Sequence, residues 1–125
     1  MSQLVISDDA KEEDLAPLAL AINEVVKLPI TIRSLNTPGI RVENGKIIDT
    51  NYSGPILEEV LKTGKPVRAI PHSGAYKGIP VSVAPIKVEG KTIAALGIVD
   101  LAGTIDMPDV FGAYADVVRQ VSEER

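Results

Sequence analysis

The sequence predicts an α+β domain: an antiparallel sheet of about five strands with helices on both faces, in the order α-β-β(-β)-α-β-β-β-α. Three observations carry this. Apolar residues at helical spacing mark segments near the start, the middle and the end of the chain. Between them the periodicity changes to short apolar runs punctuated by Pro and Gly. Asn44-Gly45 and Glu89-Gly90 are tight-turn pairs that join neighbouring runs as hairpins, where a βαβ protein would have helical crossovers.

The first helix is expected from Asp14 to Lys27. Leu15, Leu18, Ala19, Ile22, Val25 and Val26 follow the i, i+3, i+4, i+7 spacing of one face, Asp14 is its cap, Pro17 falls in the first turn and Pro29 stops it. An acidic lead-in from Asp8 to Glu13 could lengthen it. Ile30, Ile32 and Leu35, then Ile40 and Val42, then Ile47 and Ile48 read as short strands. Asn44-Gly45 suits a type I′ turn, because both residues tolerate positive φ, and so pairs Gly39–Glu43 with Lys46–Asp49. Ser53-Gly54-Pro55 sets a cap and a first-turn proline for a helix from Pro55 to Thr63, which Gly64 ends. Pro66–Ile70, Ile79–Val88 and Thr92–Leu101 are the later strands. Asp106 caps a last helix from Met107 to about Glu123, with Val110, Phe111, Tyr114, Val117, Val118 and Val121 on one face.

Both parities of the last two strands are largely apolar. Ile79, Val81 and Val83 share one parity with Ile86 and Val88 on the other, and Ile93, Ala95 and Val99 likewise stand opposite Leu96 and Ile98. Both faces of the sheet therefore need cover. Three helices can supply it if the terminal pair packs on one face and the Pro55 helix on the other; otherwise a second subunit must, so a homodimer is expected.

The chain has 125 residues, 45% hydrophobic and 24% charged, enough apolar content for a single domain spanning residues 1–125. Thirteen basic against 17 acidic residues, a net charge of -4 and four aromatic residues argue against a nucleic-acid binder, which needs a basic stripe or a stacking platform. With no Cys there is no thiolate chemistry, and with His72 alone a zinc site would need carboxylates or a second subunit. No apolar run approaches membrane-spanning length and no leader is visible, so a cytoplasmic protein with no membrane partner is expected.

The stretch Leu61-Lys-Thr-Gly-Lys-Pro-Val67, followed by Tyr76-Lys-Gly-Ile-Pro-Val-Ser-Val-Ala-Pro-Ile86 and Ala94-Ala-Leu-Gly-Ile-Val-Asp100, resembles the later half of PAS- and GAF-type sensors. The element order is similar to the wider profilin-like group, roadblock modules included. Asp14-Leu-Ala-Pro17, Gly54-Pro55, Ser73-Gly-Ala-Tyr-Lys-Gly78 and Gly103-Thr-Ile-Asp106 make nearly the whole chain resemble an uncharacterised family of stand-alone proteins from methanogenic archaea. That resemblance implies cytoplasmic residence in an archaeon and supplies no activity.

The most distinctive polar segment is Arg68 to Gly78. A Ser73-Gly74 turn can offer backbone N–H groups to an anion, Arg68, His72 and Lys77 supply positive charge, and Tyr76 adds a hydroxyl and a flat face. It is not a P-loop, and an ordinary strand connection is the plainer account. Tyr52 and Ser53, at the start of the Pro55 helix, are a second choice for a pocket wall. Arg33 and Arg41 could reach a pocket, although a solvated sheet edge is simpler. Asp100 and Asp106, with Asp49, match no known cation loop, and turn bonding and helix capping explain the first two. No residue is assigned a catalytic or metal-binding role, and any cofactor is unknown. The leading expectation is a non-enzymatic, sensor-like dimer binding a small anionic metabolite between the sheet and the Pro55 helix. The alternatives are a roadblock-like dimerisation scaffold without a ligand, and a small enzyme using His72 and Tyr76.

Overall fold

The computed structural model describes residues 2–100, so the expected last helix, its Asp106 cap and the Gly103-Thr104 turn lie outside the described residues. Within them the order is α1 (Glu12–Val26), β1 (Ile30–Ser34), β2 (Gly39–Glu43), β3 (Lys46–Tyr52), α2 (Pro55–Thr63), β4 (Val67–Ala69), β5 (Val81–Val88) and β6 (Lys91–Val99). The strands form one antiparallel sheet in the order β3-β2-β1-β6-β5-β4. There are six strands against the five expected, because all three short runs before α2 pair in the sheet.

α1 starts two residues before the expected position. Asp14 sits inside the helix, where its carboxylate accepts the Lys11 N–H at 3.0 Å, and Pro17 lies beyond the first turn. The helix ends on Lys27, whose φ of 59° is left-handed and whose N–H returns to the Asn23 carbonyl at 2.8 Å. Leu15, Ala19 and Asn23, four residues apart, are its buried stripe. Asn23 is the polar member: it donates to the Leu28 carbonyl at 2.9 Å and accepts the Gly45 N–H at 2.8 Å, tying the helix end to the β2–β3 turn. That turn has positive φ at both Asn44 and Gly45, as the type I′ reading requires, and the Glu89-Gly90 turn repeats the pattern.

The register sorts residues to faces, since directly opposed residues point the same way. Ile30 pairs with Val42 and Ile98, and Ile32 with Ile40 and Leu96. These define the α1 face, where Leu15, Ala19, Ile30, Ile32, Ile40 and Val42 are fully buried. Thr31 pairs with Arg41 and Gly97, and Gly97 with Val83; these define the opposite face, where Leu57 and Val60 of α2 pack on Val81, Val83, Ala95 and Val99. Gly97 permits that approach: a Cβ there would meet Thr31 Oγ1 at 2.6 Å and Val83 Cγ2 at 3.0 Å. Both faces are greasy, as the double-parity pattern requires, and each carries a helix. Ile47 and Ile48, in the strand expected there, are exposed on the edge strand β3.

Candidate functional site

The polar cluster of interest lies on the α2 face and is organised by β2 and β3. Two register shifts in this pair set Arg41 opposite Asp49 and Gly39 opposite Tyr52. A one-residue bulge reverses facing, so two of them bring Asp49 and Tyr52, of opposite parity, onto the Arg41 side. Tyr76 reaches the same place from the β4–β5 connection. The two rings meet edge to face with centroids 6.4 Å apart. The Arg41 guanidinium lies 5.5 Å from the Tyr52 centroid and 5.1 Å from that of Tyr76, within cation–π range of both.

Arg41 donates from Nε to the Tyr76 hydroxyl at 3.4 Å and from Nη2 to Glu43 Oε2 at 3.2 Å. A guanidinium carries five N–H donors. Two are therefore engaged among the described residues, and the side chain keeps 21% of its surface open to solvent. Burial by itself would lower the Arg41 pKa, but the hydrogen bond and field of Tyr76, with Glu43, outweigh it and hold the group above its ordinary value. Burial pushes both tyrosines above their usual value, Tyr52 further through Tyr76; the Arg41 hydrogen bond and charge pull Tyr76 the other way without cancelling the effect. The cluster therefore presents one cation, paired on one side with Glu43 and flanked by two neutral phenols.

The segment between β4 and β5 folds on itself. Gly78 N–H reaches the Pro71 carbonyl at 3.0 Å, Lys77 N–H that of Gly74 at 3.3 Å and Ile79 N–H that of Tyr76 at 3.0 Å. Gly74 and Gly78 have positive φ, and Gly74 rests against Pro55 at the start of α2. Pro71 and Tyr76 are its buried anchors, while His72, Ser73, Gly74 and Lys77 are exposed. Among the described residues no hydroxyl or carboxylate is hydrogen-bonded to His72. Ser53, expected to cap α2, does not: Gly54 is the N-cap, and the Ser53 hydroxyl accepts from Arg33 Nη1 at 2.9 Å. Arg33 also donates to the Ser34 carbonyl at 2.9 Å and that of Leu35 at 3.1 Å, so it serves as a clamp between β1 and the approach to α2.

Between the sheet and α2, where a ligand-sized pocket was expected, there is a small cavity of about 20 Å3, walled by Tyr52, Gly54, Pro55, Leu57, Ser73 and Tyr76. That volume holds about one water. Arg68 is not part of it. It pairs with Ser82, hence with Ile98, on the α1 face, and there its Nε lies 3.1 Å from Asp100 Oδ2, which also accepts the Ser82 hydroxyl at 2.6 Å. The sheet thus separates Arg68 from Tyr52, Ser53, Ser73, Gly74 and Tyr76. The residue that sequence reasoning left on a solvated edge, Arg41, supplies the charge at the tyrosine pair. The signal for it was weak, because its partners depend on two bulges and on a loop. Among the described residues no cluster of three or more His, Asp or Glu is placed to hold a metal, and no helix is long and apolar enough to cross a membrane. Asp49 on β3 and Asp100 after β6 have β2 and β1 between them.

Residues 22–102 match the model of a family described as an uncharacterized protein conserved in archaea, DUF2111. Over 103 residues, 82% of this chain and 79% of the other, the sequence is 43% identical to an uncharacterized protein of Methanocaldococcus jannaschii. No solved structure matches the chain.

Proposed function

The chain belongs to the archaeal DUF2111 family, and from the geometry of its tyrosine–arginine cluster we propose that it is a non-enzymatic sensor module, PAS- or GAF-like in plan, that binds a small anion on the α2 face in the cytoplasm. The observation that supports this is Arg41, a permanent cation held between Tyr52 and Tyr76 with donors to spare. A planar carboxylate or a phosphate oxygen pair matches a guanidinium edge. The adjoining cavity takes about one water, so a larger ligand enters only as the 70–80 segment swings outward on its two anchors, Pro71 and Tyr76. The signal is that displacement, passed from the segment to the end of β6 through the Asp100 N–H bond to the Pro80 carbonyl.

The test is a thermal-shift screen of carboxylates, nucleotides and sugar phosphates on the whole chain. A binder present at 100 times its Kd adds about 2.7 kcal/mol. Hits that raise the midpoint and are lost in Arg41→Gln support the reading, and a broad panel without a hit overturns it. A roadblock-like dimerisation scaffold is the second reading, favoured by the apolar trough on the α1 side of β4–β6 that no helix among the described residues covers; it requires a stable homodimer at micromolar concentration by sedimentation.

A further inference from the structure

Two buried hydroxyls beside Arg41 narrow the class of ligand that the α2 face takes. Thr31 and Tyr52 are 7% and 9% exposed, and both border the cavity of about 20 Å3 between the sheet and α2. Among the described residues neither hydroxyl is hydrogen-bonded, and no fully enclosed side-chain oxygen or nitrogen lacks a partner. Each of the two oxygens therefore keeps some open surface, and the cavity is the space they share. Buried hydroxyls are ordinarily paired. We propose, resting on the reading that Arg41 binds a small anion, that the ligand is a short 2-hydroxy or 2-oxo carboxylate of glycolate or lactate size. Its carboxylate lies on Arg41 and its neighbouring oxygen lies between the Thr31 and Tyr52 hydroxyls.

The strands bring these groups together. Thr31 on β1 is the direct cross-strand partner of Arg41 on β2, and such partners have Cβ atoms about 5 Å apart. The Arg41 guanidinium lies against the Tyr52 and Tyr76 rings, and both rings wall the cavity. Two glycines make room for the hydroxyls. A Cβ on Gly97 would stand 2.6 Å from Thr31 Oγ1, and one on Gly54 would stand 2.5 Å from the Tyr52 hydroxyl oxygen.

Size and polarity then choose the ligand. A cavity of this volume takes about one water, hence a single oxygen or a single methyl group. A methyl group would leave both hydroxyls unmatched, whereas a ligand hydroxyl accepts from one and donates to the other, and an oxo group accepts from both. The oxygen belongs on the carbon next to the carboxylate because Thr31 and Arg41 are immediate neighbours. A longer chain runs into Leu57 and Val83, which wall the cavity from α2 and β5.

The test is calorimetric titration of the full chain with glycolate, lactate and pyruvate. Acetate and propionate, which carry the same carboxylate without the second oxygen, and inorganic phosphate are the comparisons. A site built to bond an oxygen rejects the analogue lacking it, so the best of the first three should bind at least about 10-fold tighter than acetate or propionate. That preference should shrink to within about 2-fold in Thr31→Val, which loses the hydroxyl, and return in Thr31→Ser, which keeps it. Tyr52→Phe removes the other hydroxyl and keeps the ring, and repeats the comparison if Thr31→Val does not fold. Acetate bound as tightly as glycolate, lactate and pyruvate, or binding confined to phosphate, overturns this inference and leaves anion binding at Arg41 standing. A preference that survives loss of either hydroxyl overturns it as well. Binding by none of these compounds also overturns it, and the wider thermal-shift screen then decides the anion reading separately.

Discussion

Asn23→Ala removes the polar side chain that, among the described residues, joins α1 to the β2–β3 turn. The residue is 4% exposed, donates to the Leu28 carbonyl at 2.9 Å and accepts the Gly45 N–H at 2.8 Å. Leaving a buried partner unmatched costs about 1–3 kcal/mol. The Leu28 carbonyl sits in a half-buried residue and takes most of that cost, whereas Gly45 is exposed and water replaces part of its bond. The two together come to about 2–3 kcal/mol. With an unfolding entropy near 2.1 cal/mol/K per residue, a chain of this size loses about 10 °C of melting temperature. With no Trp in the sequence, far-UV circular dichroism is the direct probe, in thermal and urea melts. Exchange of the Gly45 amide should quicken at the same time. A midpoint within about 2 °C of the parent, or an unchanged Gly45 exchange rate, would refute the argument that this side chain pins the hairpin.

Gly97→Ala should destabilise by about 1–3 kcal/mol in the same melts, because the new methyl group has Thr31 Oγ1 and Val83 Cγ2 in its way. Lys27→Gly should do the reverse and raise the midpoint by about 3 °C: it relieves a non-glycine residue at φ 59° and gives up only an exposed 3.4 Å pair with Glu24. Tyr52 and Tyr76 have folded pKa values raised above the ordinary 10.0, chiefly by burial, so their neutral forms favour the folded state. That contribution is complete below about pH 10 and is lost as the pH rises through the folded values, since the unfolded chain then ionises first. Tyrosinate absorbance should show Tyr52 and Tyr76 ionising late and together with loss of structure; both titrating at the ordinary value in folded protein would contradict it.

Local chemistry in the chain carries most of the architecture. Pro55 and Gly64 bound α2 where the structure has it, and the Asn44-Gly45 and Glu89-Gly90 pairs set both hairpins, because positive φ is a property of two adjacent residues and needs no distant partner. The double-parity apolar strands announce a sheet covered on both sides for the same reason: facing alternates with residue number whatever the neighbours are. Errors gather where one residue's role depends on another element. Asp14 looked like a cap until Lys11 supplied the actual start, and Ser53 looked like one until the hydroxyl was taken by Arg33, twenty residues away.

The candidate site follows that division. Tyr52 and Tyr76 are legible as aromatic residues beside turn signals, but their meeting depends on the folded path of the 70–80 segment. Arg41 comes between them because β2 and β3 slip twice against each other, and Arg68 falls on the far side because β4 pairs with β5 in one register and not its neighbour. Sequence alone determines turn chemistry, helix limits and the need for two covered faces, since each rests on the conformational preference or periodicity of neighbouring residues. Only tertiary structure decides which charge stands with which ring, since a shift of one residue in strand pairing carries a side chain through the sheet to the other face.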